Sequence, residues 1–152
     1  MQLETKYFGR IECEDSDVLH FGDGLFGFEE EKRFVLLPFD GSEGSLLCLQ
    51  SVQTPHLAFV TMNPFFLKPD YAPQLTAEQL RVAGAQRSQD LCFYVLCAVR
   101  QPVSESTVNL RCPIVINDET RRASQVILEG QQYGMRHPLS EFSRRDEGED
   151  AC

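Results

Sequence analysis

Three groups of residues in this 152-residue chain have types and spacing that could support chemistry. They are a glycine-rich hexapeptide, a set of cysteines and histidines, and an aromatic stretch punctuated by prolines. Gly22-Asp23-Gly24-Leu25-Phe26-Gly27 matches G-x-G-x-x-G, the pattern by which a strand-to-helix turn cradles a dinucleotide pyrophosphate. Its context does not suit that role. A crossover between parallel strands needs about ten or more residues, yet only six separate Gly27 from Phe34, where the next strand is expected. The would-be helix also opens with Glu29-Glu30-Glu31, which would repel a pyrophosphate. A tight turn needing positive φ is the expectation here.

The six cysteines (Cys13, Cys48, Cys92, Cys97, Cys112, Cys152) include no C-x-x-C. Cys92 and Cys97 are five apart in an expected strand, so their side chains leave on opposite faces. His20, His56 and His137 are scattered, whereas a structural zinc site shows paired ligands at close spacing. No metal and no cofactor are expected. Nucleophilic catalysis needs a thiol or hydroxyl, a base and an orienting group. Cys112, before Pro113, is the most conspicuous thiol, but it is level with Val108 and Leu110 on a face that reads as core. No serine occupies a G-x-S-x-G elbow. The chain is therefore not expected to be an enzyme.

The third group is Asn63-Pro64-Phe65-Phe66-Leu67-Lys68-Pro69-Asp70-Tyr71-Ala72-Pro73. It is either an irregular loop folding its aromatics onto the core or a surface left open to grip a partner. In the second case Phe65, Phe66, Asp70 and Tyr71 are the candidate partner-binding residues.

The elements that must position these groups read mostly as strand. From Gln2 to Cys13 apolar residues alternate with polar ones, as in a half-buried strand pair or one long strand, with Gly9 marking a bulge. Further strands are expected at Val18–Phe21, Phe34–Pro38, Leu46–Val52, Leu57–Met62, Val108–Cys112, Ile114–Asn117 and Ser124–Leu128. Leu91–Val99 is continuously apolar and should be buried on both faces. Thr76-Ala77-Glu78-Gln79 fits a capping box, opening a helix that runs to about Ala83 before Gly84. A second helical turn is expected through Glu29–Lys32. The predicted fold class is mainly β, a small closed or partly open β-barrel or roll with one or two short helices.

Length argues for a single domain over residues 1–142. The last ten residues, 143–152, are nearly devoid of apolar side chains and are expected to form a disordered acidic tail. The net charge of −9 argues against phosphate binding, which needs a basic face, so no direct nucleic-acid role is expected. No apolar run reaches the ~20 residues of a membrane-spanning helix. Residues 1–51 hold 11 acids and 4 bases, so one third of the chain carries most of the negative field. That is either a solubilising surface or one that steers a basic partner. Met1 to Glu14 alternates polar and apolar residues rather than showing a secretory pattern, and a cytoplasmic protein with reduced thiols is expected. With no extended apolar seam, a monomer is expected.

These segments resemble, in order, those of the flagellar assembly factor FliW family. Phe21-Gly22-Asp23-Gly24-Leu25-Phe26-Gly27-Phe28-Glu29 is similar to its F-x-x-G-L-P-G-F-E element. Leu49-Gln50-Ser51 with Leu57-Ala58-Phe59 resembles L-Q-S…L-A-F, and Asn63-Pro64-Phe65 with Pro69-Asp70-Tyr71 resembles D-P-x-x-F…P-D-Y. Asn109 to Asn117 is similar to N-L-x-A-P-I-V-I-N, and Gln125–Leu128 and Tyr133–Leu139 continue the likeness. Phe26 stands where the family usually has proline, and Asn63 where it usually has aspartate.

The resemblance implies a small barrel-like fold and a binding role. Proteins of that family bind flagellin in the cytoplasm before its export, and bind the translational repressor CsrA so that it no longer silences flagellin messenger RNA. Accumulating flagellin then occupies the factor and frees CsrA. An apolar groove taking a helical segment of flagellin is expected, with Asn109, Pro113 and Asn117 shaping a strand bend. The rival reading is an enzyme or ligand-binding barrel whose site forms only in three dimensions.

Overall fold

A computed structural model describes residues 1–41, 45–130 and 133–142. The expected acidic tail, 143–152, lies outside the described residues. The described residues form eleven strands: β1 (Gln2–Glu4), β2 (Arg10–Glu12), β3 (Leu19–Phe21), β4 (Arg33–Pro38), β5 (Leu46–Ser51), β6 (Ala58–Met62), β7 (Cys92–Ala98), β8 (Thr107–Val108), β9 (Ile114–Asn117), β10 (Arg122–Gln125) and β11 (His137–Pro138). Two α-helices are described, α1 (Pro64–Leu67) and α2 (Ala77–Ala83).

The strands β3-β4-β5-β6-β7-β9-β10 close on themselves into a seven-strand barrel. Closure runs through two junctions: β7 pairs β9, and β10 pairs β3 in parallel. The other barrel pairings are antiparallel. Closing the sheet removes the free edges that an open sheet of these short strands would expose. β8 and β11 extend the sheet from β7, and β1 with β2 forms a separate hairpin.

The alternation read in the sequence maps onto the two surfaces of the barrel. Leu19, Phe21, Phe34, Leu49, Ile114, Ile116 and Ala123 fill the interior, and Leu25 joins them. Phe21 and Phe34 meet edge to face at 5.2 Å between ring centroids. Outside, Leu3, Cys13, Val18 and Val35 form a second cluster beneath the hairpin. β7 is apolar on both faces, as its composition predicted. Tyr94 and Leu96 pack on the interior cluster, while Val95 and Cys97 belong to an outer cluster with Val108, Leu110, Leu128 and Phe142.

α2 begins and ends where its sequence says. Thr76 and Gln79 exchange both capping-box bonds, at 3.1 and 2.9 Å, and Gly84 closes the helix at φ 74°. It covers β9 and β10, its Ala83 clustering with Leu91, Phe93 and Val115.

Some expected elements differ. The N-terminal segment is the expected strand pair, a hairpin rather than one long strand, but Gly9 lies in its turn and not at a bulge; Thr5 N–H donates to Gly9 O at 2.9 Å. The helical turn expected over Glu29–Lys32 is absent. Leu25 and Phe28 exchange backbone bonds instead, folding the segment into consecutive turns, and Glu31 accepts from Ser51 Oγ and Thr54 Oγ1 at 2.5 and 2.8 Å. The strand expected over Val108–Cys112 stops at Val108. Asn109 Oδ1 accepts from the amides of Arg111 and Cys112, so its side chain replaces the ladder with a turn. The strand expected to reach Leu128 keeps a two-sided ladder only to Gln125: Val126 and Leu128 N–H still donate to Pro113 O and Arg111 O at 3.1 and 2.8 Å in the same register, but Pro113 has no amide to return. Asn117 sits at the end of β9 and donates through Nδ2 to Ala83 O at 2.9 Å, tying the barrel wall to the end of α2.

Candidate functional site

The stretch from Asn63 to Pro73 is built around a single helical turn that periodicity did not reveal. Asn63 Oδ1 accepts from Phe65 N–H at 2.9 Å, and Pro64 occupies the first helical position, where a missing amide costs nothing. The signal was in the sequence as Asn-Pro. An asparagine caps as well as the aspartate usual at this position in the resembled family.

The four residues singled out from sequence part company in space. Phe65 is 38% exposed and lies over β7, 5.7 Å from the Tyr71 ring and 6.4 Å from that of Phe93. Phe66, at 58%, projects into solvent. Asp70 is exposed and pairs with Lys68 at 3.2 Å. Tyr71 is only 3% exposed: its ring packs on Tyr133 at 4.7 Å, and its hydroxyl donates to Leu110 O at 2.7 Å. Burial pushes the Tyr71 hydroxyl far above its ordinary range, so it stays protonated at any physiological pH.

Phe65 and Tyr71 share the wall of a groove of about 660 Å³ running between this segment and the start of β7. Pro73, Leu75, Leu91 and Phe93 supply most of its remaining apolar lining, with Ser88 and Gln89 at its polar side. Phe66 and Asp70 are not among the lining residues. Reading the sequence missed Leu75, Leu91 and Phe93 as groove residues. Leu91 and Phe93 are core residues, buried in the cluster with Ala83 and Val115, and their part in the groove depends on which segments meet there.

The other candidates are structural. Gly24 and Gly27 have φ of 68° and 86°, so the glycine hexapeptide is the expected turn. At Gly24 a Cβ would lie 2.6 Å from the backbone of Phe28 and Glu29. All five cysteines among the described residues are free thiols. Burial raises the thiol of Cys48 to about 11 and raises Cys112 and Cys97 as well, which suppresses the nucleophilic thiolate. Among the described residues no group of three or more His, Cys, Asp and Glu side chains is placed to hold a metal ion. No helix among them is long and apolar enough to cross a membrane. The acidic run gathers around a shallow cleft of about 410 Å³ lined by Glu12, Glu14, Asp15 and Asp17.

With this barrel and groove in view, comparison with known proteins is decisive. The sequence matches the family described as FliW protein over residues 2–139. The chain belongs to the FliW family. The flagellar assembly factor FliW of Shouchella clausii (strain KSM-K16) is 40% identical over 139 residues, covering 91% of this chain and 94% of the relative. That of Geobacillus kaustophilus (strain HTA426) is 43% identical over 142 residues, covering 91% and 95%. A crystal structure of the flagellar assembly factor FliW superposes with a TM-score of 0.84 at 40% identity, covering 91% of this chain and 96% of that one. The FliW barrel thus accounts for nearly the whole chain, and its turn, capped helix and aromatic segment fall inside the matched region.

Proposed function

We propose that this protein is a cytoplasmic flagellar assembly factor that binds flagellin and antagonises the translational repressor CsrA. In this reading it is a partner switch: flagellin, as it accumulates, occupies the factor and releases CsrA, and flagellin translation falls. The observation that carries the reading is the family match over residues 2–139, with relatives named as flagellar assembly factors across more than nine-tenths of this chain.

The geometry supplies surfaces suited to such a role. The groove walled by Phe65 and Tyr71 and floored by Leu91 and Phe93, with Gln74, Ser88 and Gln89 along it, is open and amphipathic, which suits an amphipathic helical segment of flagellin. Phe66, beside it on α1, extends the exposed apolar surface. Asp70, held by Lys68, sets a charge at the same segment. The surface bearing Glu12, Glu14, Asp15 and Asp17 suits docking beside a protein that must attract RNA phosphates, where it would repel the RNA without touching it. The interior is filled by Phe21, Phe34, Leu49 and Ile114, which supports a surface-binding protein over a barrel with an internal catalytic pocket. The protein acts as a monomer.

Calorimetry of the purified protein against flagellin, against CsrA, and of the flagellin complex against CsrA tests the switch. Binding to each partner, with flagellin blocking CsrA, is the expected result. Silence toward both from a folded protein would overturn the reading.

A further inference from the structure

Although the chain carries −9 overall, one patch of the barrel wall is basic, with Asp23 and Glu29 as acids near it. Arg33 of β4 is in register with His20 of β3, and His20 is in register with Arg122 of β10. Their strand neighbours Leu19, Phe21, Phe34 and Ala123 point into the barrel, so alternation turns all three outward, and all three are exposed. With neighbouring strands about 4.8 Å apart, the row runs straight across three strands for about 10 Å.

Two clefts lie along this row. One, of about 460 Å³, is lined by His20, Lys32, Arg33 and Gln53; the other, of about 340 Å³, by His20, Arg122, Ser124 and Val82. Sharing His20 and Gly22, they form one elongated trough. The ion pairs among the described residues leave the row untouched: Arg10, Arg81, Arg87, Arg121 and Lys68 each have a carboxylate, whereas His20, Lys32, Arg33 and Arg122, like Lys6, Arg100, Arg111 and Arg136 elsewhere, do not. Lys32 Nζ is held over the trough by Gly22 O at 3.0 Å. The negative end of α2 is already met by Asn117 Nδ2 and makes no demand on Arg122. Glu31, beside Lys32 in sequence, is turned away onto Ser51 and Thr54. Asp23 is the one acid lining either cleft.

We propose that this trough is a docking site for an acidic segment of a protein partner, separate from the Phe65 groove, with which it shares no residue. An extended peptide repeats a side chain on one face every ~7 Å, so two carboxylates two residues apart span most of the row. A concave, elongated trough suits a chain better than a compact anion. A flat anionic membrane surface meets the −9 field of the rest of the molecule before it could reach the row.

The test is a fluorescence-anisotropy titration of the full chain with a labelled oligoglutamate peptide, using oligoglutamine as the uncharged control. Two double variants are compared: Arg33→Glu with Arg122→Glu in the row, and Arg10→Glu with Arg81→Glu elsewhere. Both change the net charge equally, and all four residues are exposed, so circular dichroism should confirm unchanged folding. Saturable, salt-sensitive binding of oligoglutamate, weakened about tenfold or more by the row variant and little by the other, is expected. No binding to the native chain would overturn the proposal, as would equal losses in the two variants. Inorganic phosphate or phosphatidylserine vesicles binding the row as tightly as the peptide would also overturn it, in favour of a small anion or a membrane.

Discussion

Tyr71 and Phe65 were indistinguishable in sequence, yet substitutions at the two should produce opposite results. Tyr71→Phe removes one hydroxyl and nothing else. That hydroxyl is buried and donates to Leu110 O at 2.7 Å, at a point where the chain has just left β8 and Leu110 itself is fully buried. Losing the bond while leaving a buried carbonyl without its donor costs about 1–3 kcal/mol. In urea, with m near 2 kcal/mol/M, the midpoint should fall by roughly 0.5–1.5 M at unchanged m. Because the ring stays in place as the groove wall, flagellin affinity should stay within about twofold. Phe65→Ala inverts the pattern. The ring is over a third exposed and its main partners are the edges of Tyr71 and Phe93, so the stability loss should be about 1 kcal/mol. If the groove is the flagellin site, removing a wall aromatic should weaken binding by about 1–2 kcal/mol, roughly five- to thirtyfold, by calorimetry. An unshifted urea midpoint for Tyr71→Phe would refute the hydrogen-bond argument. Unchanged flagellin affinity in a folded Phe65→Ala would refute the groove assignment.

Other outcomes follow from the same structure. Gly24→Ala should prevent stable folding or cost several kcal/mol, since its Cβ meets backbone at 2.6 Å and φ is positive, whereas Gly27→Ala, in open space, should cost about 1 kcal/mol; thermal melts of the pair decide it. Asn117→Ala should destabilise by about 1–3 kcal/mol by leaving Ala83 O without its side-chain donor, read from the urea midpoint. Cys48 has its thiol pKa raised by burial from 9.0 to about 11. The unfolded chain therefore loses that proton first: stability is fully present below pH 9 and declines between pH 9 and about 11, at up to about 1.4 kcal/mol per pH unit. Cys48→Ala should be less stable at neutral pH but show a shallower alkaline decline, measured by urea titration at each pH.

Local sequence carried those features whose causes lie within a few residues. The capping box at Thr76, the glycine that ends α2, the glycine turn after β3 and the two-faced burial of β7 all follow from nearest-neighbour chemistry, and all are present. Even the missed helix at Pro64 was encoded locally, by an asparagine cap and a proline. Two expected strands were cut short by single residues, one acting locally and one across the ladder. Asn109 ended a strand by bonding forward to Arg111 and Cys112, and Pro113 stopped β10 by offering no amide to its partner.

What the chain could not disclose by itself is which outward positions share a surface. Residues 33, 20 and 122 form one basic row only because β3 pairs β4 on one side and β10 on the other. The groove exists only because residues 65, 71, 75, 91 and 93 are brought together around the start of β7. Tyr71, which the sequence leaves between a core-facing loop and an open surface, is drawn inside by the hydroxyl contact to Leu110, 39 residues on. Periodicity reports which face of a strand is apolar, because that depends on the strand alone. Which faces become neighbours depends on barrel closure, a property of strand pairing over long separations, and that was decided by the tertiary structure.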